Sequence, residues 1–298
     1  MFELNQAGAA TWYMNAPTNI GFYLYNAPEV CMIDCGDRTC AEKSLEHIHA
    51  QGWKLTKLFL THSHTDHTSG AQWIREQTGC VVYAPGISAA AVKHSFLIAT
   101  TLYGGRPNQE MCSKFLLPPP CECSEITADA LPRGLVEFRL DGHDMAQSAF
   151  CTPDGVWFTA DAVISESALK SHRISFIYDI AKHLNSLEEL SRLKGSVFIP
   201  SHCEPVSDIR PLVDENSAAI RDVAGDIVQL CARPQTMDDI IAFVLEKYRI
   251  RLYLMQYLLV GQTVRSYVSW LMEQGKLFAV YSGTRLLFSN SPGSSLHK

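Results

Sequence analysis

A cluster of imidazole and carboxylate side chains follows an apolar segment near residue 60. Three histidines and one carboxylate lie within six residues, directly after a run that predicts a short buried strand. They are His62, His64, Asp66 and His67, and the apolar run is Leu58-Phe59-Leu60. Solvated loop histidines are the simpler interpretation, but four potential ligands at this spacing rarely arise from composition alone. Because imidazole suits zinc and other borderline metals, and carboxylate allows a second cation nearby, the cluster predicts a metal site.

Further residues of the same types follow predicted strands elsewhere in the chain. They are Asp34 in Met32-Ile33-Asp34-Cys35-Gly36, His143 in Gly142-His143-Asp144, Asp161 in Thr159-Ala160-Asp161, and His202 in Ser201-His202-Cys203-Glu204-Pro205. Any one of them alone is weak, since a single histidine or aspartate after a strand is more often a structural residue or a cap.

Taken together and in order, these motifs resemble those of the metallo-β-lactamase superfamily, whose signature is H-x-H-x-D-H. The resemblance covers most of the first two hundred residues. It implies one metal held by His62, His64 and His143, another held by Asp66, His67 and His202, and Asp161 bridging the two. Asp34 would lie behind the ligands and accept an N–H from one of them or brace the loop, as carboxylates near metal-bound histidines usually do.

The resemblance implies two divalent ions, zinc by default, with iron or manganese as alternatives because such a donor set accepts several first-row metals. One residue departs from the family pattern. Ala160 stands where the family usually has glycine, which leaves the local backbone geometry open but retains the carboxylate of Asp161.

The function implied is that of a dinuclear metal-dependent hydrolase acting on a small-molecule ester, thioester, lactone or phosphoester. A hydroxide bridging the two metals would attack the substrate, and Asp66 would help to orient it. His64 stands where flavodiiron-type oxidoreductases carry glutamate, which disfavours a redox di-iron centre. His67 stands where zinc β-lactamases often have arginine, which disfavours a lactamase.

Three alternatives remain at this point. The chain could be a nuclease or a ligand-sensing regulator that binds nucleic acid through its C-terminal region. It could be an iron-dependent dioxygenase of the persulfide type, which uses a similar histidine set. A non-catalytic binding protein is the third alternative, and the complete ligand set disfavours it.

Composition narrows the classes of protein. The chain has 298 residues, 47% of them hydrophobic, which can supply a substantial core. Its net charge of −6 and the lack of a long Lys/Arg run disfavour nucleic-acid binding. The sequence begins without a signal-peptide pattern and has no membrane-spanning stretch, so we expect a cytoplasmic protein without membrane contact. We accordingly expect its ten cysteines to be reduced.

The predicted organisation is α/β. Strand-like and helix-like segments alternate, with paired strands at 18–25 and 30–33 and helices at 41–51 and 89–103. The family fold would be an αββα sandwich, and we assign it to residues 1–208. Residues 209–298 predict a small helical domain followed by a polar tail.

The C-terminal region predicts helices at 212–230 and 262–274, another beginning near Thr236, and a hairpin at 277–281 and 284–288. This order resembles a winged helix such as closes some β-lactamase-like hydrolases and endoribonucleases. The helix at 262–274 has a single cation and a wide apolar face. We therefore expect it to pack against the metal domain or a second copy in a homodimer, since groove-reading helices need several polar or cationic side chains.

Two segments could form walls beside the metals. One is the apolar helix predicted at 89–103, and the other is the segment 165–184. In the latter, polar side chains could receive an anionic or polar substrate, although a solvated charged face is the alternative. These candidates are Lys170, His172, Arg173 and Tyr178.

Overall fold

The structure is a computed structural model that describes residues 1–109, 112 and 117–292. Its strands form two large sheets and a separate hairpin. The first sheet has seven strands, whose spatial order is their order along the chain. They are β1 (Leu4–Gln6), β2 (Thr11–Met14), β3 (Ile20–Asn26), β4 (Glu29–Ile33), β5 (Lys54–Phe59), β6 (Val81–Ala84) and β7 (Ser124–Glu125). Strands β1 to β4 pair antiparallel and β4 to β7 pair parallel. The hairpin predicted around residues 26–29 is the β3–β4 pair.

The second sheet has four strands in the spatial order β11-β10-β9-β8. They are β8 (Val136–Arg139), β9 (Ser148–Cys151), β10 (Val156–Ala160) and β11 (Val197–Pro200). Strands β10 and β11 run parallel, and the other neighbours are antiparallel. The C-terminal hairpin consists of β12 (Phe278–Ser282) and β13 (Arg285–Ser289), close to the predicted positions.

Helices cover the outer faces of both sheets. The first five are α1 (Arg38–Ala50), α2 (Thr65–Thr68), α3 (Ala71–Thr78), α4 (Ile87–Lys93) and α5 (Phe96–Tyr103). The others are α6 (Glu166–His172), α7 (Ile180–Arg192), α8 (Arg210–Leu230), α9 (Met237–Lys247) and α10 (Leu254–Glu273).

Alternation along the strands builds the layers, because successive strand residues point to opposite faces. In β4, Cys31 and Ile33 pack between the sheets with Phe150 and Phe158 of the second sheet. Val30 and Met32 face the other way, into the cluster that also contains α1 and α3 residues. The predicted αββα sandwich is therefore confirmed.

The C-terminal helices share one apolar cluster with the second sheet. Trp157 of β10 and Leu187 of α7 belong to the same cluster as Val223 of α8, Ile240 of α9 and Tyr267 of α10. The apolar face of α10 is therefore buried against the rest of the chain, as expected. The boundary at 208–209 falls directly before α8, and both that division and the winged-helix resemblance stay predictions.

Two predicted helices have different bounds in the structure. The helix predicted at 89–103 is wrong as one element, because α4 ends at Lys93 and α5 begins at Phe96. Helix α10 begins at Leu254 rather than near residue 262 and continues through Gly261. Glycine costs about 1 kcal/mol in a helix interior. A Cβ at position 261 would lie 3.5 Å from Ile241 of α9, so the glycine lies where α10 packs closely against α9.

The strand ends bring the ligand-type residues together. Asp34 follows β4 directly, Asp161 follows β10 directly, and the segment containing His62 and His64 follows β5. Because β4 is parallel to β5, their carboxyl ends lie at the same edge of the sheet. All ten cysteines are free thiols, and in the described part of the chain no helix is both long and apolar enough to cross a membrane.

Candidate metal centre

Two groups of ligand-type side chains lie side by side at this edge. In each group, one candidate ligand atom from every residue lies within 4.8 Å of the others. The first group is His62, His64, His143 and Asp161, and the second is Asp66, His67, Asp161 and His202. Asp161 belongs to both groups, and the bridging role that the family resemblance implies for it stays a prediction.

His62 is completely buried directly after Thr61. Its Nδ1 lies 3.0 Å from the Thr61 hydroxyl oxygen. Its Nε2 is buried and has no hydrogen-bond partner among the described residues. Buried polar atoms are nearly always paired, so this nitrogen is positioned for a ligand that the protein itself does not supply.

Asp34 lies behind His67, and its role in supporting a metal ligand stays a prediction. Asp34 Oδ2 accepts from His67 Nδ1 at 2.8 Å, and both side chains are buried. The same carboxylate accepts from the backbone N–H and the hydroxyl of Thr61, each at 2.8 Å. His67 Nε2 therefore points into the second group, where it is buried without a hydrogen-bond partner in the described part of the chain.

Asp144 fixes the residue between His62 and His64, a role that the sequence did not reveal. Its Oδ2 accepts from the backbone N–H of Ser63 at 3.0 Å and from the Ser63 hydroxyl at 2.6 Å. The Ser88 hydroxyl donates to the same oxygen at 3.3 Å. Asp144 thus ties the ligand loop after β5 to the loop that carries His143.

The position of His143 depends on close packing behind it. Gly142 has φ +117°, and a Cβ there would lie 2.2 Å from the backbone nitrogen of His183 in α7. Only glycine fits this approach. In front, His143 Nε2 lies 3.0 Å from His64 Nδ1 and 3.5 Å from Asp161 Oδ2.

Asp161 reaches both groups from the end of β10. Its carboxylate oxygens lie 3.3 Å from His67 Nε2 and 3.3 Å from His202 Nε2. Oδ1 is buried with no hydrogen-bond partner among the described residues. Ala160, which replaces the glycine usual in the family, has φ +53° beside a register shift in β10. Alanine therefore adopts the left-handed conformation that glycine would take more easily.

His202 is held by the N-terminal segment. Its Nδ1 lies 2.8 Å from the carbonyl oxygen of Pro17, so Nε2 faces the second group, 3.1 Å from Asp66 Oδ2. Asn19 donates from Nδ2 to the carbonyls of Pro200 and Cys203, each at 2.8 Å. These bonds fix the loop after β11 against residues 17–19.

Burial keeps two histidines of the first group neutral. It is the largest cause that lowers the pKa of His62 well below its ordinary value, followed by the neighbouring His67. Burial, and then His64, lowers the pKa of His143 to about 3. Neutral imidazole is the form that binds a metal ion.

Carboxylates dominate the electrostatics of the second group. Burial alone would lower the pKa of His67, but Asp161 and Asp34 raise it well above its ordinary value. Asp161 is also the largest cause that raises the pKa of His202 to about 10. Burial raises the pKa of Asp161, but His202 and His67 outweigh it and hold that pKa well below its ordinary value. A cation bound in this group therefore releases protons from these histidines.

The donor set fits two first-row divalent ions. Histidine nitrogens and carboxylate oxygens are the ligands that zinc, iron and manganese accept in proteins. Among the buried side-chain atoms without a hydrogen-bond partner in the described part of the chain, three belong to the two groups: His62 Nε2, His67 Nε2 and Asp161 Oδ1, of which the last two lie 3.3 Å apart. A bound cation would satisfy each of them.

Among the described substrate candidates, Tyr178 reaches the loop of the first group through its backbone, whose N–H lies 2.9 Å from the Gly142 carbonyl oxygen and 3.2 Å from that of His143, whereas Lys170 and Arg173 are held in ion pairs. Lys170 pairs with Glu166 of its own helix, and Arg173 pairs with Asp222 of α8 at 2.9 Å. Tyr178 borders a different depression, next to α10. The side chain of His172 lies outside the described part of the chain. Surface ion pairs explain the two cations, in line with the solvated charged face weighed above.

Phe176 forms the wall that those residues do not form. Its ring centroid lies 5.1 Å from that of His64 and 5.8 Å from that of His143. The plane of the Phe176 ring makes angles of 76° and 80° with the two imidazole planes. Sequence reasoning missed it because a single phenylalanine between two helices has no distinguishing pattern. The first group is therefore flanked by an aromatic side chain.

The chain belongs to the metallo-beta-lactamase superfamily, whose family model matches residues 17–202. This span contains every residue of the two ligand groups. The family resemblance read from the motifs is therefore confirmed.

The matched curated relatives include several hydroxyacylglutathione hydrolases and, over a short stretch of 74 residues, a ribonuclease J from Mycoplasma genitalium at 32% identity. A hydroxyacylglutathione hydrolase from Jannaschia sp. is 28% identical over 197 residues, which are 64% of this chain and 65% of that protein. Another from Rhizobium johnstonii is 42% identical over 48 residues, 16% of this chain and 19% of that protein. The chain thus spans from about a fifth to about two thirds of these two hydrolases.

A solved structure extends the similarity of fold to the C-terminal helices. A beta-lactamase domain protein from Burkholderia ambifaria superposes with a TM-score of 0.71 and 16% identity, covering 97% of this chain and 94% of that chain. At this identity the match concerns the fold alone.

Proposed function

We propose that the protein is a dinuclear metal-dependent hydrolase that cleaves thioesters. The proposed ligands are His62, His64, His143 and Asp161 for one ion and Asp66, His67, Asp161 and His202 for the other. The observation that carries the proposal is the set of buried, unpaired ligand atoms on His62, His67 and Asp161. Unpaired buried polar atoms are costly, and three of them directed at two adjoining positions support a pair of cations.

The metals would supply Lewis acidity, which lowers the pKa of a coordinated water and polarises a carbonyl group. The chain supplies position and charge. Asp34 and Asp144 hold the ligand loop from behind, so the imidazoles are oriented before substrate arrives. Phe176 shields one side of the first group and gives an acyl group an apolar surface.

Asp66 is the proposed catalytic carboxylate. Its side chain is about half exposed, at 52%, whereas Asp161 is buried at 8%, so Asp66 is the one that substrate and water can reach. Burial raises the pKa of Asp66, but His67 and the hydrogen bond to His202 outweigh it and keep the carboxylate ionised. An ionised carboxylate at this position can accept a hydrogen bond from the attacking water and orient it.

The substrate class follows the relatives. Hydroxyacylglutathione hydrolase names a thioester hydrolase, and the Jannaschia relative matches 64% of this chain. In thioester hydrolysis, water oxygen bonds to the acyl carbon, the carbon–sulfur bond breaks, and the thiolate leaves with a proton from the water. Zinc is the proposed metal, with iron and manganese as competitors for the same donors.

The C-terminal region is proposed to act as a structural cover rather than a nucleic-acid reader. The apolar face of α10 is buried, and Ser266 donates to the carbonyl of Tyr178 at 2.7 Å. A winged-helix arrangement of α9, α10 and the hairpin, homodimer formation and a cytoplasmic location remain part of the proposal.

The test is a substrate panel assayed with zinc-loaded protein. Acyl thioesters, nitrophenyl esters, lactones and bis-nitrophenyl phosphate are compared, with His143→Ala as the ligand-deficient control. We expect thioesters to have the highest kcat/KM of the panel. In His143→Ala, kcat/KM should fall by at least about a hundredfold. Oxygen consumption with a persulfide, without any hydrolysis, would instead identify the dioxygenase alternative.

A further inference from the structure

A polar cavity of about 450 Å³ opens directly beside the second ligand group. His202 forms part of its wall, and the other polar side chains around it include Asn15, Asn19, Ser165, Ser167 and Glu204. Because His202 also contacts Asp66 and Asp161, a ligand can fill the cavity and reach the metal positions at once.

The walls of this cavity are fixed before substrate binds. The bonds from Asn19 to the carbonyls of Pro200 and Cys203 join the N-terminal segment to the His202 loop. On the third side, the Ser165 hydroxyl caps α6 by accepting from the backbone N–H of Ala168. A cavity framed by such bonds can discriminate between ligands, because little reorganisation is needed on binding.

Glu204 sets the charge of the cavity. Apart from the ligand His202, it is the one charged side chain among the lining residues. Met1 also borders the cavity, and because Met1 and Glu204 are both exposed, solvent weakens the field of the Met1 amino group and of the Glu204 carboxylate alike; the carboxylate alone lies on the loop that carries His202. Two cations of the segment that follows Ser165, Lys170 and Arg173, are paired with Glu166 and Asp222.

We propose that this cavity binds the thiol half of the substrate and selects a cationic or neutral thiol over an anionic one. The proposal rests on the thioesterase function above. A carboxylate-bearing thiol such as glutathione would meet hydroxyls, amides and the carboxylate of Glu204, and the lining residues that the structure describes include no unpaired side-chain cation to neutralise it. The expected substrates are therefore thioesters whose leaving thiol carries an ammonium or amide group.

The test uses three thioesters with the same acyl group and leaving thiols of similar length. Thiocholine is permanently cationic, N-acetylcysteamine is neutral, and 3-mercaptopropionate is anionic. Released thiol is measured for the zinc-loaded, full-length protein. We expect kcat/KM to be about tenfold higher for the thiocholine ester than for the mercaptopropionate ester, since an exposed charge contributes up to about fivefold by attraction and a similar factor by repulsion.

Variants at Glu204 separate its charge from the intrinsic reactivity of the esters. Glu204→Gln should reduce the cation-to-anion ratio of kcat/KM about tenfold, to near one, and Glu204→Lys should invert it. Glu246→Lys is the matched control, because it makes the same charge change on an exposed residue of α9 outside the cavity. It should leave the ratio unchanged.

The outcomes distinguish the two proposals. A ratio that favours the anionic ester and stays the same in Glu204→Lys would overturn the role of the cavity while leaving the thioesterase intact. No turnover of any of the three esters by the zinc-loaded protein would overturn the thioesterase proposal, and this one with it.

Discussion

Asp34 and His67 form a buried pair in which the carboxylate accepts from His67 Nδ1 at 2.8 Å and leaves Nε2 facing the second ligand group. Asp34 reaches this position from a left-handed backbone conformation, with φ +60°, at the end of β4. Oδ1 of Asp34 accepts from the Thr61 N–H, and Oδ2 accepts from the Thr61 hydroxyl and from His67 Nδ1. The pair therefore sets both the tautomer and the direction of a proposed metal ligand.

Asp34→Asn should lower the affinity of the second ligand group for its metal ion about 10- to 100-fold. Asparagine tolerates positive φ, so the backbone is retained, but its NH₂ group must face one of the donors from Thr61 or His67. Zinc affinity measured by competition with a chromophoric chelator checks this. The control is Asp37→Asn, which removes a charge three residues away at the N-cap of α1, where asparagine caps equally well. Equal zinc affinities in both variants would contradict the role given to Asp34.

Asp144→Asn should lower the metal affinity of the first ligand group by about tenfold. One carboxylate oxygen of Asp144 accepts from Ser63 and the other from the Met145 N–H, and the NH₂ group of asparagine must replace one of these acceptors. Ser63→Ala gives a graded comparison. It removes the hydroxyl donor and keeps the backbone donor, so its loss should be smaller. The same zinc competition assay applies, and an Asp144→Asn protein that binds two zinc ions as tightly as the wild type would refute the bracing role.

Gly142→Ala should destabilise the fold by several kcal/mol, since the new Cβ would overlap the backbone of His183 and the residue has φ +117°. Gly225→Ala is the matched change. Gly225 lies exposed in α8 with nothing within 4 Å of its Cβ position, so the free energy of unfolding should rise by about 0.5–1 kcal/mol. Urea denaturation measures both, and a Gly142→Ala variant of unchanged midpoint would exclude this packing.

Phe176→Ala should preserve two bound metals but lower kcat/KM for acyl thioesters by about five- to tenfold, mainly through KM, because an apolar surface next to His64 is lost. Tyr281→Ala, an aromatic residue 76% exposed on the hairpin, is the control and should have no effect. Steady-state kinetics measures kcat and KM of both variants, and metal analysis measures their bound ions. Loss of metal in Phe176→Ala would mean that the ring supports the ligands instead of the substrate.

The proximity of the candidate ligands could be predicted from the sequence, because each candidate follows a strand and the motifs occur in the order that is usual in the family. The structure brings His62, His64, Asp66, His67, His143, Asp161 and His202 into two adjoining groups, although their role as ligands remains a prediction. The αββα layers were predictable for a similar reason, since alternation in strands such as β4 assigns each side chain to one layer.

Contacts between distant parts of the chain were not predictable. Asp144 contacts Ser63 across 81 residues, and no local pattern announces that pairing. Lys170 and Arg173 showed only a charge pattern, which fits a surface ion pair as well as a substrate contact. The break between α4 and α5 likewise has no helix-stopping proline or glycine at His94 or Ser95.

The most direct test of the dinuclear thioesterase is a titration of the chelator-treated protein with zinc while thioester hydrolysis is followed. We expect no turnover without metal and activity that saturates at about two zinc ions per chain. Asp161→Ala should lose that activity, because its carboxylate belongs to both groups. Full activity in the metal-free protein, or no zinc bound after reconstitution, would contradict this function.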